Sequence, residues 1–178
     1  MRRRIRAAGL LLSLCLLTSC GAGFPLTRSA AEAYRLRELS EACGVDLVHG
    51  ARLCGILTDE DTHGGFHYDG ERLTRYRYDS FRYGDDDAGY FATALPAASR
   101  WNPLPFGEEL SAWITENGGW TLLPDDWPEE GYYCFFDRQA GTWDPAGESR
   151  AFLRPSLNFT LFVYDTETDM LTVYELDT

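Results

Sequence analysis

Leu157-Asn158-Phe159-Thr160-Leu161-Phe162-Val163-Tyr164, the turn Asp165-Thr166-Glu167-Thr168-Asp169, and Leu171-Thr172-Val173-Tyr174-Glu175-Leu176 decide the fold. Leu157, Phe159, Leu161 and Val163 alternate with Asn158, Thr160, Phe162 and Tyr164, and the run after the turn alternates again. Side chains that alternate with a period of two belong to strands, and two such runs around a polar turn make a β-hairpin.

Upstream of this hairpin, Gly131 to Arg138 (Gly-Tyr-Tyr-Cys-Phe-Phe-Asp-Arg) reads as a buried strand. Glu71 to Asp79 alternates, with Thr74, Tyr76 and Tyr78 on one face and Leu73, Arg75 and Arg77 on the other. Val45 to Asp59 reads as extended, and the glycine-rich loop 59–70 joins these two runs as a second hairpin. Ser29 to Cys43 reads as a helix. Ser29 and Glu32 form a capping box, Ala33, Leu36, Leu39 and Cys43 make one apolar stripe, and Gly44 stops the helix. Short helices are expected from Asp85-Asp86-Asp87 and over Glu108 to Thr115, and between and after them lie prolines 96, 103, 105, 124 and 128, which break helix and sheet alike. The fold class is therefore α+β. A leading helix and about five mostly antiparallel strands form one twisted sheet with helices on one face, closed by the C-terminal hairpin.

The first nineteen residues follow a different pattern. Arg2-Arg3-Arg4 and Arg6 precede an apolar run from Ala7 to Leu17, and Thr18-Ser19-Cys20 ends it. Basic, then apolar, then small is the order of a secretory signal peptide. The apolar run is too short to span a hydrocarbon core, which takes about 20 residues. Leu17-Thr18-Ser19-Cys20-Gly21 resembles the lipobox of bacterial lipoproteins. That resemblance implies lipid on the Cys20 thiol, cleavage between Ser19 and Cys20, and a protein held on the membrane outside the cytoplasm. The expected organisation is a signal peptide over 1–19, a flexible tether over 20–28 and a single domain over 29–178.

Removal of residues 1–19 takes away four arginines and no acid. It leaves 12 basic against 28 acidic residues and a net charge of −16, compared with −12 for the whole chain. Nucleic acid is excluded as a partner, because its binding is dominated by phosphate neutralisation. The same charge argues against a domain lying flat on anionic lipid. All basic residues are arginine, so no lysine-dependent chemistry is available. After Cys20 come Cys43, Cys54 and Cys134. One disulfide would leave a thiol over, with Cys43 and Cys54 the closer pair in sequence, and three free thiols are the alternative.

The exported region also resembles small exported proteins of Firmicutes. The resemblance rests on Asp61-Thr62-His63-Gly64-Gly65-Phe66-His67, on Gly131-Tyr132-Tyr133 with Asp137-Arg138, and on Asn158-Phe159-Thr160 with the closing Tyr174-Glu175-Leu176-Asp177-Thr178. It implies a shared fold and carries no activity.

Three constellations could carry chemistry. The loop from Asp59 to Asp69 gathers His63, His67, Asp59 and Asp61, a donor set that suits a divalent metal such as zinc. The competing reading is a solvated turn. Asp137-Arg138 ends a strand beside aromatic residues, and an arginine there could clamp a carboxylate or phosphate of a ligand. The competing reading is an internal salt bridge. Arg75-Tyr76-Arg77-Tyr78 has the look of a stacking strip, but the charge favours packed tyrosines with arginines meeting nearby acids. No G-x-S-x-G, H-E-x-x-H or Walker pattern occurs. These readings favour a lipid-anchored domain that binds a ligand or protein at the cell surface. The alternatives are a metal-binding lipoprotein using His63 and His67, and a small cell-envelope hydrolase with an Asp/His site.

Overall fold

The computed structural model describes residues 29–64, 68–79, 89–118, 121–143 and 151–178. Residues 1–28 (Cys20 among them), the Asp85-Asp86-Asp87 run and His67 lie outside them. The elements in chain order are α1 (Ala30–Cys43), β1 (Arg52–Asp61), β2 (Gly70–Asp79), α2 (Tyr90–Ala97), β3 (Asn102–Pro103), α3 (Glu108–Glu116), β4 (Gly131–Asp137), β5 (Asn158–Asp165) and β6 (Met170–Asp177). The strands form one antiparallel sheet in the order β1-β2-β6-β5-β4-β3.

The C-terminal hairpin places β5 and β6 at the sheet's centre, paired from Asn158↔Asp177 to Asp165↔Met170. Its turn is closed by Asp165, whose Oδ1 accepts the Glu167 and Thr168 amides at 2.8 and 3.3 Å. Every residue of β5 from Phe159 to Tyr164 is buried. The strand is apolar at both parities, so the sheet needs cover on both faces. The structure differs here from the one-sided arrangement expected from sequence. On the first face α1 and α2 set Leu36, Leu39, Phe91 and Leu95 against Tyr76, Phe162, Tyr164 and Val173. On the second face α3 and the segment after it set Leu110, Trp113, Leu122 and Leu123 against Phe135, Phe159, Leu161 and Tyr174. Burying each such side chain contributes about 1.5–3 kcal/mol.

The sheet has six strands, not about five. The extra strand, Asn102–Pro103, is two residues long on β4's outer side. An edge position tolerates proline's missing N–H. Pro96 lies one residue before the end of α2, so the helix stops just after it. β1 begins only at Arg52, because Asp46 accepts the amides of Val48 and His49 and turns the chain after α1. α3 forms where its apolar spacing predicts.

The Ser29 cap and the Gly44 stop expected for α1 are present, while Glu32 Oε1 is without a partner, so the return half of the capping box is not formed through it. Ser29 Oγ accepts the Glu32 amide at 3.1 Å, and Gly44 takes φ 76°, a left-handed conformation that costs glycine little. The carbonyls at the helix C-terminus are occupied by side chains from elsewhere. Arg100 Nη1 donates to Glu41 O at 2.6 Å, Trp143 Nε1 to Ala42 O at 2.7 Å and Trp101 Nε1 to Cys43 O at 2.9 Å. These bonds fix the position of α1 on the sheet and leave its N-terminal half over the polar end of the first face.

Candidate functional site

The polar end arises from strand parity. In β6, Glu175 and Asp177 share a face with Leu171 and Val173. In β2, Arg72 and Thr74 share it with Tyr76 and Tyr78. The apolar pattern therefore gives way to charge within one face. α1 adds Arg35, and the end of β4 adds Arg138.

These residues form one continuous network. Arg35 Nη2 donates to Glu175 Oε2 at 2.6 Å and to Thr74 Oγ1 at 3.2 Å, and its Nε donates to Tyr76 OH at 3.2 Å. Burial alone would lower the pKa of Arg35, but Glu175 and Tyr76 outweigh it and the value is raised. Thr74 Oγ1 donates to Asp59 Oδ1 at 3.2 Å, and Arg72 grips both oxygens of Asp59 at 3.0 and 3.1 Å. Arg72 also lies 3.7 Å from Asp61. His63 then links two strands, with Nδ1 2.7 Å from Asp61 and Nε2 3.0 Å from Asp177. Arg138 completes the chain through Asp177 Oδ1 at 2.9 Å and the carbonyls of Leu176 and Phe159 at 2.9 and 3.2 Å.

This geometry bears on each candidate. Asp59, Asp61, His63 and Arg138 come together in the network. Each ring nitrogen of His63 thus lies at hydrogen-bond distance from an aspartate oxygen. In that arrangement neither nitrogen is free for a metal or for a substrate proton. Among the described residues no group of three or more histidine, cysteine, aspartate or glutamate side chains is disposed to hold a metal ion. Burial would raise the Asp61 carboxyl, but the His63 amide and ring, helped by Arg72, hold it below its ordinary value.

Asp137 is separated from its neighbour. Consecutive strand residues point to opposite faces, and Asp137 is fully buried away from the network. It accepts from Arg154 Nη2 at 2.5 Å and from the amides of Gln139 and Ala140 at 3.0 and 3.1 Å. Asp137 thus anchors the turn after β4, and Arg138 alone faces the network. The Arg-Tyr strip follows the same logic, with Tyr76 and Tyr78 in the core and Arg75 on Asp126 at 2.9 Å. Cys43, Cys54 and Cys134 are free thiols. Cys54 is exposed on β1, while Cys43 and Cys134 share one core cluster.

A cleft of about 260 Å³ opens between α1 and the sheet beside this network, lined by Arg35, Glu38, Leu39, Ala42, Phe136, Arg138, Thr160 and Glu175. A larger depression of about 920 Å³ lies elsewhere, lined in part by Cys54, Leu57, Glu167 and, from the Arg-Tyr strip, Arg77 and Tyr78. Arg35, Glu38, Glu175 and Asp177 were not anticipated. The available signal was charge at apolar parity, since Glu175 and Asp177 continue the spacing of Leu171 and Val173. No protein-family model, curated protein or solved structure matches the chain, so its function is argued from this geometry and from the sequence motifs.

Proposed function

We propose that the chain is an exported lipoprotein, anchored by lipid on Cys20 and facing outside the cytoplasm, whose domain binds a small ligand in the cleft between α1 and the sheet. The observation that carries the reading is the succession of Arg2-Arg3-Arg4, an apolar run too short to span a bilayer, and Leu17-Thr18-Ser19-Cys20. The first turn of α1 follows Cys20 by about ten residues. A nine-residue tether spans at most about 30 Å, so the domain would work close to the bilayer. A binding role is favoured over hydrolysis because both ring nitrogens of His63 are engaged, and a general base needs one aimed at the substrate. Zinc binding by the 59–70 loop would require His63 to release one of its aspartates.

Metabolic labelling of the full chain in a bacterial host with a palmitate analogue tests the anchor. The expected result is a labelled protein in the membrane fraction, with the Cys20→Ser variant unlabelled and released. Absence of label, or a Cys20→Ser variant still held in the membrane, overturns the reading.

A further inference from the structure

We infer that the α1–sheet cleft takes a small zwitterion, an α-amino acid with a compact apolar side chain. This rests on the proposed ligand-binding role of the cleft and names its ligand class. The lining carries two guanidiniums, Arg35 and Arg138, and two carboxylates, Glu38 and Glu175. Its formal charge is balanced, as is that of an amino acid. With Glu175 closed by Arg35, a phosphate or other net anion would still face the Glu38 carboxylate, and a net cation would face the Arg138 guanidinium.

Two of the four charges close on each other, Arg138 pairs with Asp177 outside the lining, and Glu38 meets no cation among the described residues. Arg35 and Glu175 close on each other at 2.6 Å, both largely buried. The proximity of Glu38 raises the pKa of the exposed Tyr34 hydroxyl. Arg138 reaches Asp177 and two carbonyls through Nη2, while its Nε has no partner. Arg138 and Glu38 belong to opposite walls, the sheet and the helix, and no ion pair joins them. A guanidinium on one wall suits a carboxylate, and a carboxylate on the other suits an ammonium group. Between them Phe136, Leu39 and Ala42 supply an apolar surface for a side chain. The volume, about 260 Å³, is below the usual range for drug-sized ligands and suits a single amino acid.

The test is calorimetric titration of the detergent-solubilised full chain with L-alanine, D-alanine and L-leucine, beside propionate and propylamine as half-ligands. The expected result is saturable binding of at least one amino acid, with each half-ligand about tenfold weaker or worse, the factor that about 1.4 kcal/mol of lost contact corresponds to. Glu38 is exposed on α1, so Glu38→Gln should fold normally, weaken the amino acid by a similar factor and leave propionate unchanged. If propionate binds as tightly as the amino acids, the zwitterion assignment falls while the cleft remains a ligand site. If none of the five compounds binds, both fall.

Discussion

At the scale of single residues, the second face holds a charge that its neighbours fully employ. Glu71 is 5% exposed, and its oxygens accept the Thr121 and Leu122 amides at 3.0 Å each and the Tyr174 hydroxyl at 2.9 Å. Burial, reinforced by Glu71, pushes the Tyr174 phenol well above its ordinary value, so it stays a donor. Removing this carboxylate strands two buried donors, the Leu122 amide and the Tyr174 hydroxyl, each unsatisfied group costing about 1–3 kcal/mol. Glu71→Ala is expected to lose at least ~2 kcal/mol in urea unfolding, with Leu122 and Leu123 loosened first in hydrogen exchange. A loss below ~1 kcal/mol would mean that the carboxylate does not hold the 121–123 segment. Cys43 is a contrasting case, since burial pushes its thiol up to about 12 and leaves it a packing residue without thiolate reactivity.

At the scale of elements, β5 determines the layering. Phe159 packs on Trp113, Phe135 and Tyr174 on the second face, while Phe162 packs with Trp101 on the first. Truncating a buried phenylalanine costs about 3–5 kcal/mol. Phe159→Ala and Phe162→Ala are therefore expected to destabilise by comparable amounts in denaturant titration. A one-sided sheet would make one substitution expensive and the other nearly neutral, so a difference above ~2 kcal/mol would contradict the two-faced core. Glycine also matters at one junction. Gly131 has φ 144°, and a Cβ there would lie 2.0 Å from the Tyr164 carbonyl oxygen, so only glycine lets β4 begin against the end of β5.

At the scale of the whole molecule, acidity sets the response to pH. The chain carries 28 acids against 16 bases, and self-repulsion is relieved as carboxylates protonate. Particular aspartates oppose that trend. Asp61 is held below its ordinary value by His63 and Arg72, and Asp46 by the His49 and Val48 amides and the His49 ring, against the opposing effect of burial in both. A depressed folded pKa contributes stability that is fully present above the unfolded value, near 3.8, and is lost as pH falls through the folded value. Stability is thus expected to decline below about pH 4, and Asp61→Asn should show a shallower decline in urea midpoints between pH 5 and pH 2.5. Identical slopes in the two proteins would remove Asp61 from the account. The Asp61 side chain is 44% exposed, which screens the effect and keeps it small.

The sequence by itself determined the features that depend on neighbours along the chain. The period of two fixed the β5–β6 hairpin and the faces of β2, and helical spacing fixed α3. Ser29 and Gly44 set the ends of α1. Local dihedral preference and alternation suffice for these. Asp59, Asp61 and His63 were visible as a cluster for the same reason, since they lie within five positions of one another. Only the tertiary structure decided the rest. β5 carries apolar residues at both parities, but what covers each face depends on where α1 and α3 dock. The partner of the second His63 nitrogen, Asp177, lies 114 positions away. Arg138 parted from Asp137 because adjacent strand residues face opposite layers. The cleft joins α1 to β4, β5 and β6, elements separated by up to 140 positions at the Arg35–Glu175 pair. No local pattern encodes such a pairing; it follows from burying both faces of the sheet, which carries charged side chains from distant parts of the chain to one end where they can satisfy one another.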